Sequence, residues 1–119
     1  MNIAYLKGAI ENIAKLIEQN KDYLIELDSK NGDGDLGISM ANGYRAIADY
    51  LAQTEETDLG KALMKCSGIF NEKSPSTLGT ITSIGLMGMA KILKGKEEAD
   101  LALVSKAFDN AILSIMEKA

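Results

Sequence analysis

Asp28-Ser29-Lys30-Asn31-Gly32-Asp33-Gly34-Asp35-Leu36-Gly37 interrupts an otherwise regular helical spacing of apolar side chains. On its N-terminal side Ile3, Leu6, Ile10, Ile13 and Ile17, then Leu24 and Leu27, recur three or four residues apart and line one face of a helix. On its C-terminal side the spacing resumes in Met40, Tyr44, Ile47 and Leu51, and again in Leu59, Leu63, Cys66 and Phe70. A fourth run extends from about Pro75 to Lys94 through Leu78, Ile81, Leu86, Met89 and Ile92. A fifth holds Leu101, Val104, Phe108, Ile112 and Ile115. Thr57 or Asp58 is placed to N-cap the third run and Asp100 the fifth. Pro75 fits a first helical position behind Ser74, and Gly95 fits a C-terminal cap. Short connections make antiparallel neighbours. The expectation is an all-α single domain over residues 1–119, with about five antiparallel amphipathic helices and no repeat or linker.

Composition agrees and narrows the chemistry. A chain of 119 residues, 46% hydrophobic and 25% charged, suits one globular domain that buries roughly two thirds of its unfolded surface. Thirteen Lys and Arg against seventeen Asp and Glu leave a formal charge of −4, with no basic run, which argues against nucleic acid as a partner. There is no His, so Ser-His-Asp, Cys-His and His-ligated zinc chemistries are excluded. Cys66 stands alone and reads as a small buried hydrophobe in a reducing, cytoplasmic compartment. The N-terminal run carries Lys7, Glu11 and Lys15, so it reads as neither a signal peptide nor a membrane span.

The interrupting loop is where chemistry is expected. Asp28, Asp33 and Asp35 repel one another unless a cation joins them, and Gly32, Gly34 and Gly37 let the chain curl so that the carboxylates converge. Oxygen ligands alone suit Mg²⁺ or Ca²⁺. Counting an EF-hand from Asn31 puts Leu36 where Gly is required and Asn42 where Glu is required, so that pattern fails. Magnesium, which shares its coordination with waters and phosphates, fits better. Leu36, Gly37, Ile38 and Ser39 open the next helix, whose free N–H groups attract an anion. A solvated acidic capping loop is the competing reading.

A second segment, Ser74-Pro-Ser-Thr-Leu-Gly-Thr-Ile-Thr-Ser83, offers hydroxyl and N–H donors for phosphate or ribose, or else simple helix capping. Gly79, Gly85 and Gly88 each cost a helix roughly 1 kcal/mol relative to Ala. They call for close helix approach or a ligand against the backbone, whereas Met87 and Met89 read as core filler. There is no P-loop lysine motif and no Rossmann fingerprint.

Leu27-Asp28, Gly32-Asp-Gly-Asp-Leu-Gly37 with Met40 behind it, and Ser76-Thr-Leu-Gly79 together resemble the ADP-binding L subunit of dihydroxyacetone kinase and the related Dak2 domains. The resemblance implies an eight-helix barrel whose aspartate loop holds two Mg²⁺ ions that anchor the phosphates of ADP or ATP. It implies Asp28, Asp33 and Asp35 as metal ligands, and Leu36, Gly37, Ile38, Ser39, Ser76, Thr77, Leu78 and Gly79 around the nucleotide. It implies transfer of phosphate to dihydroxyacetone, or a related small hydroxyketone, held by a histidine of a separate K-type subunit, with ATP or a phosphocarrier subunit as donor. Leu36 stands where the family has His, and Leu78 where it has Ser. The only arginine, Arg45, matches no family position, and about five of the eight barrel helices are expected here. That shortfall leaves an apolar face open and points to self-association, a second chain or a longer product. The competing function is a non-catalytic helical metal-binding or interaction module that keeps the loop.

Overall fold

The computed structural model describes residues 1–30 and 36–118. Among the described residues there are six helices and no strand: α1 (Ile3–Gln19), α2 (Lys21–Ser29), α3 (Leu36–Gln53), α4 (Leu59–Lys73), α5 (Thr77–Leu93) and α6 (Leu101–Lys118). The all-α expectation holds, with one more helix than expected. The extra one comes from Asn20, which splits the first apolar run. Its side-chain amide donates to the Leu16 carbonyl at 2.8 Å and its backbone N–H reaches the Leu16 and Ile17 carbonyls. An Asn side chain that satisfies backbone carbonyls locally ends a helix that apolar spacing alone would continue. α2 restarts at once, the Leu24 N–H bonding to the Asn20 carbonyl.

The other ends follow their caps. Asp58 accepts from the Lys61 N–H at 3.0 Å and so starts α4; Asp100 accepts from the Leu103 N–H at 2.8 Å at the start of α6. The start of α5 corrects the sequence expectation: Ser76, not Ser74, is its N-cap, accepting from the Gly79 N–H at 3.0 Å. Pro75 therefore lies ahead of the helix, and Ser74 closes α4 by donating its N–H to the Phe70 carbonyl.

The helices pack in the order α1, α3, α4, α5, α6, with α2 laid on α3. Specific pairs fix their directions. Lys7 meets Thr54 while Glu18 meets Arg45; Ser39 meets Ser74; Ser67 meets Ser83; and Gly88 lies against Asn110 and Ala111. Each neighbour is thus antiparallel, so α1, α4 and α6 run one way and α3 and α5 the other. The core between them holds Ile47, Leu51, Leu59, Leu63, Phe70 and Leu93, all fully buried. Each is worth roughly 1.5–3 kcal/mol in apolar surface removed from water. Phe70 meets Tyr44 edge-on, ring centroids 4.9 Å apart at 80°.

The glycines of α5 are explained by packing. A Cβ on Gly88 would come within 2.8 Å of the Asn110 carbonyl oxygen, and Gly85 faces Ile115, so both let α6 approach closely. Met89 is half-buried against the core, as filler should be. Cys66 is buried on α4, and loss of water pushes its thiol up to about 12. Arg45 forks two carboxylates of α1, Glu11 and Glu18, at 2.7–3.0 Å, pinning α1 to α3. The hydrogen bonds hold the Arg45 pKa up and both glutamate pKa values down.

One end of the array is clipped by backbone bonds: Met1 and Ala99 exchange N–H···O contacts both ways, and the Leu59 N–H donates to the Lys96 carbonyl. Gly95, in the left-handed region at φ 81°, turns its N–H onto Asp58 at 2.9 Å. The opposite end carries the candidate site.

Candidate phosphate-binding end of the helix array

Three helix ends meet there: the N-termini of α3 and α5 and the C-terminus of α4. Their meeting point is a cluster of hydroxyls. Ser39 on α3 lies 2.6 Å from the Ser74 hydroxyl and donates to the Ser76 hydroxyl at 2.8 Å. Ser76 in turn accepts from the Gly79 N–H. A hydroxyl has one proton, so Ser39, which gives its own to Ser76, receives one from Ser74. The chain of bonds runs Ser74 to Ser39 to Ser76, and the two lone pairs of Ser76 are filled by Ser39 and Gly79. The Ser76 proton is then directed away from the cluster, toward the exposed side on which Thr77 lies. Ser74 is fully buried and Ser39 nearly so, which fixes the spacing of the two helix N-termini.

Close backbone approach holds the geometry. A Cβ on Gly79 would overlap the Ser74 carbonyl, and one on Gly37 would come within 2.9 Å of the Lys21 carbonyl and 3.0 Å of the Ile25 side chain. Gly37 thus seats α2 on α3, and Gly79 seats α5 on the end of α4. Asp28, near the end of α2, reaches the start of α3, its Oδ2 accepting from the Leu36 N–H at 3.2 Å. A carboxylate there complements the positive end of the α3 dipole.

Of the residues expected at the site, Asp28, Leu36, Gly37 and Ser39 gather at the α3 N-terminus, and Ser76, Thr77, Leu78 and Gly79 at the α5 N-terminus. The hydroxyl cluster joins the two groups. Ile38 and Leu78 are exposed at the rim, and Gly37 and Gly79 are buried beneath it. Asp33 and Asp35 lie outside the described residues. Among the described residues no group of three His, Cys, Asp or Glu is placed to hold a metal ion. Asp28 with the neighbouring hydroxyls supplies only oxygen donors, the ligand type a hard divalent cation takes. Ser74 is the residue that sequence reasoning passed over as a site member. Its place at the end of an apolar run, just before Pro75, reads as capping, and only the packing of α3 against α4 turns its hydroxyl to Ser39. Among the described residues, no helix is long and apolar enough to cross a membrane.

A model of the DAK2 domain matches residues 30–119, so the chain belongs to the DAK2 domain family. It is 30% identical over 102 residues to the ADP-binding subunit DhaL of PEP-dependent dihydroxyacetone kinase 2 from Listeria innocua, covering 84% of this chain and 47% of that protein. It is 23% identical over 109 residues to the corresponding DhaL subunit of dihydroxyacetone kinase 1 from the same organism, covering 92% of this chain and 54% of that protein. It is also 32% identical over 94 residues to dihydroxyacetone kinase of Pichia angusta, covering 77% of this chain and 15% of that enzyme. The chain therefore spans about half the length of the bacterial subunits it matches. No solved structure matches it.

Proposed function

We propose that this chain is the Mg-nucleotide-holding part of a dihydroxyacetone kinase-type phosphotransferase, with ADP or ATP seated across the N-termini of α3 and α5. The observation that carries the reading is the Ser74–Ser39–Ser76 cluster, which ties two helix N-termini side by side with the Asp28 carboxylate at the edge. Two such ends present backbone N–H groups and dipoles of one sign to the same space, which suits a polyphosphate. Asp28, Asp33 and Asp35 are the proposed ligands of Mg²⁺, probed as two ions, and bound magnesium supplies the positive charge that lets an acidic loop accept phosphates.

In this reading the residues of the chain position rather than react. Ser76 donates its outward hydroxyl to a phosphate oxygen, the N–H groups following Leu36 and Ser76 add further donors, and Leu36, Ile38 and Leu78 border the site with apolar surface. The acceptor, dihydroxyacetone or a related small hydroxyketone, is proposed to sit on a K-type partner subunit, with ATP or a phosphocarrier subunit as phosphate donor. The proposed compartment is the cytoplasm, and the proposed scaffold is part of an eight-helix barrel.

Isothermal titration of ADP with and without Mg²⁺ tests the reading: magnesium-dependent binding is expected, and no heat above background with the intact chain sinks it. Asp33→Asn is expected to weaken binding at least tenfold; an unchanged affinity makes the loop purely structural. The exposed Ile38 and Leu78 at the rim, where polar donors would serve a phosphate better, favour a second reading: a non-catalytic module that binds metal or a partner through the same end. Binding of Mg-ADP with no phosphate transfer in the presence of a K-type subunit supports that second reading.

A further inference from the structure

We infer that the open groove between α1 and α6 is the surface through which two copies of this chain pair. α1 and α6 are the outer members of the helix array and do not pack along one another. They leave an apolar groove of about 480 Å³, floored by Leu86 and Met89 of α5 and walled by Ile10 and Ile13 on one side and Val104 and Phe108 on the other. The groove continues into bare apolar stripes on both helices. Tyr5 and Leu16 of α1, and Leu101, Phe108, Ile112 and Met116 of α6, are each between 55% and 85% exposed.

Area, charge and direction select the occupant. A large apolar side chain carries on the order of 100–200 Å². Six of them more than half exposed leave ~600 Å² bare, at the upper end of what a monomer shows. With the groove floor this approaches the roughly 800 Å² per partner of a standard interface. The stripes are also free of charge. On α1 the ionic residues Glu11 and Glu18 turn the other way, onto Arg45, and Asn2, Gly8 and Asn12 flank the stripe. On α6 the stripe is flanked by Ser105, and at helical spacing Lys106, Asp109 and Glu117 fall on another face. Depletion of charge with enrichment in aromatics marks the centre of a protein interface.

Direction completes the argument. Every neighbouring pair within the array is antiparallel, yet α1 and α6 run the same way, so the helix that fills the gap with the same packing must oppose both. A two-fold axis perpendicular to the helices presents the second copy's α6 in that sense. It sets the second α6 between α1 and α6 of the first copy and the reverse at the same time, an isologous contact that closes.

Size-exclusion chromatography with light scattering on the full chain tests this across micromolar to hundred-micromolar concentrations. Twice the monomer mass is expected, and the Phe108→Glu, Ile112→Lys double variant is expected to run as a monomer with unchanged far-ultraviolet circular dichroism. Should that variant lose its helical signal, cysteine cross-linking keeps the question open to refutation. Cys66 is buried, so Ser105→Cys in the stripe is expected to form an intermolecular disulfide, whereas Glu72→Cys on the outer side of α4 is not. A monomer at every concentration overturns the inference. So does a dimer that survives the stripe substitutions or cross-links through residue 72, or a monomer whose groove instead takes up an apolar dye.

Discussion

Removal of the Ser39 and Ser74 hydroxyls, singly and together, probes whether the two helix N-termini are locked to each other. Ser74 is fully buried, and its hydroxyl lies 2.6 Å from Ser39. Ser74→Ala deletes one donor from Ser39, which still donates to Ser76; the loss is that of one neutral hydrogen bond, about 1 kcal/mol. Ser39→Ala costs more. It breaks both bonds and leaves the Ser74 hydroxyl buried without its partner, a penalty of about 1–3 kcal/mol. In the double variant that stranded hydroxyl is gone as well, so the pair should cost less than the two singles added, with a coupling of about 1 kcal/mol. Urea unfolding followed by circular dichroism at 222 nm measures all four proteins, at one fixed protomer concentration because association would otherwise shift the midpoints. Additivity to within about 0.3 kcal/mol would refute the reasoning, since that is the behaviour of sites that do not touch.

Other perturbations test the rest of the structure. Phe70→Ala removes a fully buried ring packed edge-on against Tyr44 and should destabilise by about 3–5 kcal/mol in the same urea assay. Gly88→Ala places a methyl within 2.8 Å of a backbone carbonyl of α6; overpacking of about 1–3 kcal/mol should exceed the roughly 1 kcal/mol that Ala adds to helix propensity, giving a net loss. Backbone N–H bonds from Lys61 and then Gly95 hold the Asp58 carboxyl below its ordinary value. Its stabilising contribution is therefore complete above the unfolded pKa near 4 and is lost as pH falls through the folded one; Asp58→Asn should flatten the acid limb of the stability profile below about pH 4. Cys66, pushed up to about 12 by burial, should resist alkylation at pH 8 in the folded protein and react fully in denaturant.

The helical fold was legible because period is a property of sequence: the runs over Ile3–Ile17, Met40–Leu51, Leu59–Phe70 and Leu101–Ile115 each became one helix. What escaped was local competition. Apolar spacing carries on past Asn20 into Leu24 and Leu27, but the Asn20 amide takes the Leu16 carbonyl and ends the helix there. Ser74 and Ser76 are both hydroxyl residues beside Pro75, and only the approach of α3 decides that Ser76 caps α5 while Ser74 turns inward. The glycines split the same way. Their cost in a helix was visible from sequence, and whether a ligand or a neighbouring helix explains them needed the partner backbones.

The same contacts give a physical reason why the two halves of the candidate site belong together although some forty residues separate them in sequence. Neither the aspartate loop nor the Ser76–Gly79 turn is specific alone, since each can be read as capping. Capping, however, asks nothing of the relation between one helix start and another. Here Ser39 is spent on the far segment, not on its own helix: its proton goes to the residue that caps α5. A structural cap on α5 is already complete with the Gly79 N–H on Ser76. The added bond from α3 orients the Ser76 hydroxyl and fixes the distance between two positive helix ends, which a purely structural cap would not need. That surplus of order is what a polyphosphate site requires, and it is the property the Ser39 and Ser74 substitutions measure.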